Sequence, residues 1–169
     1  MQFELKTISK FLGLSPVDIT DTALPLKAVE SGYIEIIVPV KSLESLLSMT
    51  PNYQLMKNYC DRFGITGILA FTKETRETSS NAHIRHFAPA VGINEDPASG
   101  GAAACLGYYL VDCGIIPPEE MVRIIVEQGY AMQRPGIIYV HVYMIKKEII
   151  RVAFGGQGIV TFEGKVMLP

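Results

Sequence analysis

Residues 102–111 read Ala-Ala-Ala-Cys-Leu-Gly-Tyr-Tyr-Leu-Val, ten positions without a charge. A helix that is apolar all round has no side to give to water, so it has to be buried, and the rest of the chain has to surround it. Immediately before it stand Asp96, Pro97, Ala98, Ser99, Gly100 and Gly101. They supply a carboxylate, a helix-compatible proline and two residues without a Cβ, a combination that leaves backbone N–H groups bare at a helix start. Bare amides and the positive end of the helix dipole suit an anion such as a small carboxylic acid, with Asp96 placed to give or take a proton. The same letters also spell an ordinary N-cap with proline near the first turn, and on the residues alone both readings stand.

At 169 residues the chain is expected to be one domain, long enough for a sizeable core. Apolar residues make up 49% and charged ones 19%, which excludes a disordered chain. A net charge of −2 without a Lys/Arg run gives nucleic acid nothing to bind. No apolar run approaches the ~20 residues of a membrane span, and the start Met-Gln-Phe-Glu-Leu-Lys does not read as a leader, so a cytoplasmic protein is expected. Cys60, Cys105 and Cys113 lack metal-ligand spacing and read as small core residues. His83 and His86 stand beside Arg85, a poor setting for a cation, and read as loop or strand residues; no metal site is expected.

In order along the chain, a short helix is expected over 7–12, closed by Gly13. A loop and the Ser31-Gly32 turn follow, then a β-branched strand over 33–40. Leu43, Leu46 and Leu47 repeat at helical spacing behind Ser42, and a second helix runs over 52–63 between Pro51-Asn52 and Gly64. Strands are expected over 67–71 and 82–87, with the charged stretch 72–81 between them as a solvated turn. After the apolar helix, Gly114 and Pro117-Pro118 stop it, and four strands are expected over 121–127, 137–143, 148–154 and 158–162. The class is therefore α+β: a strongly curved mixed or antiparallel sheet wrapped around one central hydrophobic helix.

The run Arg85-x-Phe87-Ala88-Pro89-x-x-Gly92-Ile93-x-Glu95-Asp96-Pro97-Ala98-Ser99-Gly100-x-Ala102 resembles the signature of the phenazine-biosynthesis PhzF-like isomerases. Further matches follow in order: Tyr109-Leu110, Glu127-Gln128-Gly129-x-x-Met132-x-Arg134-Pro135-Gly136, Val152-x-x-Gly155-Gly156 and Gly164. The resemblance implies the diaminopimelate epimerase fold, in which two halves, each a barrel-like sheet around a central helix, enclose an active site in the cleft between them. It implies cofactor-independent proton-shift chemistry on a small carboxylic acid. Asp96 would contact the substrate or assist proton movement, and the Ser99, Gly100, Gly101 and Ala102 backbone would hold its carboxylate.

By the same resemblance, residues 1–169 correspond to the second, C-terminal half of a full-length family member. The first half, with its Gly-Asn-Pro segment and the Ser-Glu-Thr segment whose glutamate is the principal acid/base, is not in this sequence. The expected partner is a separately encoded first half or a second copy in a homodimer; the alternative is a non-catalytic carboxylate-binding or remnant domain. The family's Thr-Gly-Ser is Ser99-Gly100-Gly101 here, which keeps one hydroxyl and deletes the other. Related families use a thiol pair at the helix starts. Cys105, the nearest thiol, lies inside the helix, which disfavours a thiol-based racemase.

Overall fold

The structure, a computed structural model, describes residues 3–167. In chain order the elements are α1 (Leu5–Leu12), α2 (Val17–Thr20), β1 (Lys27–Glu30), β2 (Ile34–Pro39), α3 (Leu43–Ser48), α4 (Tyr53–Phe63), β3 (Gly67–Thr72) and β4 (Ala82–Ala88). They are followed by β5 (Ile93–Asp96), α5 (Gly100–Asp112), β6 (Met121–Gln128), β7 (Gly136–Ile145) and β8 (Glu148–Gly155). The strands form one mixed sheet in the order β1-β2-β3-β4-β6-β7-β8, with β5 paired to β4 off that path.

Local signals decide the helix ends. Ser42 Oγ accepts from Ser45 N at 3.1 Å and Asn52 Oδ1 from Leu55 N at 3.0 Å, each satisfying an orphan donor of the first turn. At the other end of α4, Gly64 adopts the left-handed backbone that closes a helix.

Two crossovers decide what the sheet carries. β2 and β3 are parallel and joined through α3 and α4; β4 and β6 are parallel and joined through β5 and α5. β4 runs antiparallel to β3, so two crossovers of the same right hand, stepping the same way along the sheet, put their helices on opposite faces. Alternate residues show it. Ile37, Leu69, Phe71 and Ile84 pack with α5, whereas Ile36, Val38, Ile68, Ala70 and Phe87 pack with α1, α3 and α4. The middle strands are covered on both faces, and their burial is nearly continuous rather than alternating.

Helix α5 packs against β1 and β2 at one end of the strand order and β7 and β8 at the other, so the sheet curls around it as a half-barrel. Ala102, Ala103, Cys105, Leu106, Tyr109 and Leu110 are buried in that cradle. A side chain of leucine size contributes about 1.5–3 kcal/mol there. Tyr109 is fully enclosed, edge-on to Phe71, and its hydroxyl donates to the Pro25 carbonyl at 2.8 Å. Among the described residues no helix is long and apolar enough to cross a membrane.

Four expectations differ from the structure. β1 and β5, four residues each, arise in stretches expected as loop, and Val17–Thr20 is a single helical turn rather than loop. Conversely, the strand expected over 158–162 is extended coil, with Ile159, Val160 and Phe162 more than four-fifths exposed. A β-prone segment becomes a strand only beside an edge that accepts its hydrogen bonds, and after Gly155 the chain leaves the sheet.

The stretch 72–81 exposes its charged side chains as expected, but its backbone is anchored. Arg76 N and Glu77 N donate to the buried Glu127 carboxylate at 2.9 and 2.7 Å, and His83 Nδ1 lies 2.7 Å from the same group. Burial pushes the Glu127 carboxyl upward, but those two amides, with His83 and Ser80, outweigh it and hold it below its ordinary 4.5. Burial lowers His83 from its ordinary 6.5 against the opposing pull of Glu127. Both depressed groups bind protons more readily in the unfolded chain, so each stabilises the fold above its ordinary value and loses that as pH falls. The denaturation midpoint is therefore expected to fall below about pH 6.5 through His83 and again below about 4.5 through Glu127. Glu127→Gln should flatten the second limb; urea melts that stay parallel to wild type below pH 4.5 would contradict the assignment.

Candidate active site at the amino end of helix α5

Asp96 ends β5, Ser99 caps α5, and between them the loop is held from three sides. Ser99 Oγ accepts from Ala102 N at 3.3 Å, and Asp96 Oδ1 accepts from Ala98 N at 2.9 Å. From β6 comes a support not anticipated from the sequence, where Gln128-Gly129 reads as a bulge or tight turn. The fully buried Gln128 side chain accepts from Ser99 N at 3.0 Å and donates to the Asp96 carbonyl at 2.6 Å. A carboxamide carries its acceptor oxygen and donor nitrogen on one rigid fork, so it can do both at once. The signal available was the match of Glu127-Gln128-Gly129 to the family pattern; nothing in its spacing tells that the amide reaches back 29 residues to Ser99 and 32 to Asp96.

The third support lies on the far side of β5. Arg85 Nε and Nη2 bind the two Glu95 oxygens at 2.8 and 2.9 Å, and Nη1 donates to the carbonyls of Leu46 and Met49 at 3.2 and 2.9 Å. Arg85 thus orients Glu95 and is not a solvated surface pair: both side chains are nearly buried. Side chains alternate along a strand, so Glu95 on the α3 side sets Asp96 on the α5 side.

The proposed carboxylate-binding backbone divides into two kinds of amide. Those of Ser99 and Ala102 are engaged within the chain, by Gln128 and by the Ser99 hydroxyl. Those of Gly100 and Gly101 have no acceptor among the described residues and are the open donors at the positive end of α5. Their surroundings are specific. A Cβ on Gly100 would fall on the Phe154 ring, and one on Gly101 would fall on the Tyr33 hydroxyl. The hydroxyl that this chain lacks at position 101 is thus matched by a phenol arriving from before β2.

A cavity of about 580 Å³ runs beside the first two turns of α5, lined by Val29, Ser31, Tyr33, Gly101, Cys105 and Phe154 among others. Asp96 is not part of its lining. Cys105 Sγ lies 3.3 Å from Ser31 Oγ, and burial pushes its thiol up from the ordinary 9.0. A thiol held protonated is a poor base, which agrees with the argument against thiol racemisation. Among the described residues no group of three His, Cys, Asp or Glu is placed to hold a metal ion.

The profile described as Phenazine biosynthesis-like protein matches residues 2–164. The chain belongs to the PhzC-PhzF family. It is 32% identical over 144 residues to an uncharacterized isomerase of Clostridium acetobutylicum, covering 85% of this chain and 48% of that protein. It is 27% identical over 155 residues to the trans-2,3-dihydro-3-hydroxyanthranilate isomerase of Pseudomonas fluorescens, covering 92% and 52%. The crystal structure of the Bacillus anthracis phenazine biosynthesis protein of the PhzF family superposes with a TM-score of 0.82 at 26% identity, covering 90% of this chain and 52% of that one. The fold is accordingly that of the diaminopimelate epimerase-like proteins, and the chain spans about half the length of these relatives.

The Tyr33–Gly101 contact yields an expected result of its own. Gly101→Ala should destabilise by about 1–3 kcal/mol, because the phenol has to move. In a Tyr33→Ala background the same change should cost a few tenths, so a double-mutant cycle by urea denaturation should give a coupling above about 1 kcal/mol. Additive effects would mean that the two do not share that space.

Proposed function

We propose that this chain carries one half of an isomerase site that moves a proton between carbons of a small carboxylic acid by acid–base chemistry without a cofactor. In this reading the substrate carboxylate sits on the Gly100 and Gly101 amides, inside the Ser99–Ala102 turn, and Asp96 takes or returns the proton. The observation that carries it is that one buried side chain, Gln128, anchors both the backbone of Asp96, whose carboxylate is half-buried, and a helix start with two open amides. Such anchoring holds the reacting group and the anion site in fixed relation. The isomerase named for the Pseudomonas fluorescens relative supports the reaction class. Gly101, with Tyr33 filling the space beside it, supports a substrate preference of its own.

A proton shift needs a second face to close the cleft, and each acid/base group contributes ~10²–10⁴-fold. As proposed, that face comes from a separately encoded first half or from a second copy of this chain. Ile159, Val160, Phe162, Val166 and Met167 are 84–94% exposed within nine residues, an apolar surface that association would cover.

The test is hydrogen exchange from deuterated solvent into small carboxylic acids, including trans-2,3-dihydro-3-hydroxyanthranilate, with the chain alone and mixed with any first-half protein encoded beside it. Asp96→Asn is expected to lower exchange at least 10²-fold without changing the denaturation midpoint by more than about 1 kcal/mol. Exchange that survives Asp96→Asn would remove Asp96 from the chemistry. Acid binding without exchange, in the chain alone and in the mixture, would favour the non-catalytic binding module. Sedimentation as a stable monomer would remove the homodimer.

A further inference from the structure

A buried acid–imidazole pair lies beside Asp96. His86 Nε2 is 3.0 Å from Glu35 Oε1, with Glu35 1% and His86 5% exposed. The two belong to strands separated by β3, and they meet because the residue between them is Gly67: a Cβ there would lie 2.6–2.7 Å from both Glu35 oxygens and from His86 Nε2. Two atoms of the pair, Glu35 Oε2 and His86 Nδ1, are buried without a hydrogen-bond partner, a rare condition in a folded protein.

The antiparallel β4–β5 ladder places His86 opposite Asp96. Opposed residues share a face, with Cβ atoms about 4.5–5.5 Å apart. One Asp96 oxygen is taken by Ala98 N; for the other no partner occurs among the described residues. A row thus runs across the inner face, from Asp96 through His86 and over Gly67 to Glu35.

We infer that Glu35 and His86 form a proton-holding pair for Asp96. Glu35 accepts from His86 Nε2–H, which fixes the tautomer and leaves Nδ1 as a basic nitrogen, the arrangement by which a buried carboxylate orients a histidine base. When Asp96 removes a proton from a substrate carbon it becomes a carboxylic acid. A turn of the Asp96 side chain carries the O–H onto Nδ1, which has no other partner; the proton passes there, Asp96 returns to carboxylate, and the imidazolium is balanced by Glu35. The reverse transfer delivers the same proton back, so nothing is consumed. His86 does not touch the substrate in this scheme; it is a positioning residue acting through Asp96. The scheme rests on the proposed isomerase reading for its use, though the coupling itself does not.

The groups facing the pair are Glu35 on β2, Asp96 on β5 and, near Glu35, Tyr33 and Cys105 of α5. Across the sheet lie Cys60 of α4 and the Arg85–Glu95 pair.

The test uses the whole chain labelled for NMR. Expected are a His86 ring protonated at Nε2 and bare at Nδ1 in its neutral form, and a titration of His86 that moves down by about one unit or more in Glu35→Gln and by a measurable fraction of a unit in Asp96→Asn. In the wild-type chain the Asp96 carboxyl carbon should show an inflection at the pH where His86 titrates, a readout that stands if a variant fails to fold. A neutral ring protonated at Nδ1, a His86 titration unchanged by Asp96→Asn, or an Asp96 signal blind to His86 would each overturn the inference. Coupling in a protein without exchange activity sinks the isomerase reading alone. Activity without coupling sinks only this one.

Discussion

Replacing Arg85 with methionine is expected to cost about 3–5 kcal/mol of stability, read as a fall in the urea midpoint at unchanged slope. The guanidinium makes four hydrogen bonds, two to Glu95 and two to the carbonyls of Leu46 and Met49, and both charged side chains are at most 10% exposed. Methionine fills most of the space but leaves the Glu95 carboxylate buried without a counter-charge, and that residual charge dominates the cost. Arg85→Lys should recover little, since a point charge cannot fork onto a carboxylate and reach two carbonyls as well. Arg85→Met with Glu95→Leu should recover more than either single change suggests, because the stranded charge is gone. The effect should also reach the site: Glu95 precedes Asp96, and β5 is only four residues long, so losing its clamp frees the strand that presents Asp96. A loss below about 1 kcal/mol in Arg85→Met would mean that the pair is a solvated one, of the kind that contributes little.

What the sequence made legible was whatever has a local cause. Helix α4 is bounded by residues that cap and stop it within its own length, Asn52 and Gly64, and α5 is announced by ten chargeless positions behind Ser99. The three long carboxyl-terminal strands show in their β-branched runs between glycine and lysine turns. The remainder depends on partners distant in the chain. β1 and β5 are strands because they lie along β2 and β4, and 158–162, richer in strand-forming residues than either, is coil because after Gly155 the chain leaves the sheet. The same holds inside the site. Asp96 and the glycines stand out by themselves, whereas Gln128, 32 residues on, and the acids opposite the two histidines, 51 residues back at Glu35 and 44 on at Glu127, join only through the sheet order. His83 and His86 read as unremarkable loop or strand residues because neither acid is within reach along the chain; folding buries both, at 0% and 5% exposure.

Gly129→Ala should be the most damaging single methyl addition in the site, costing about 3 kcal/mol or more and loosening the Asp96 loop with it. Two independent strains add. Gly129 has φ +85, outside the range a residue with a Cβ adopts without cost. The new methyl would also collide with the Arg134 carbonyl and stand 2.7 Å from the Pro97 carbonyl, and both are backbone atoms that no rotamer change can move aside. The Arg134 side is braced by the tight turn in which Arg134 N donates to the Gly129 carbonyl at 3.0 Å, so that segment resists opening. The softer partner is the 96–99 loop. Pushing Pro97 outward strains the two Gln128 bonds, to Ser99 N and to the Asp96 carbonyl, that fix the carboxylate against the open amides of α5. Stability and site geometry should therefore fail together. Urea denaturation should show the loss, and amide hydrogen exchange at Ser99 should quicken by more than the global destabilisation accounts for. If Ser99 exchange rises only as far as global unfolding dictates, the methyl is absorbed on the Arg134 side, and Gly129 serves the turn rather than the loop that carries Asp96.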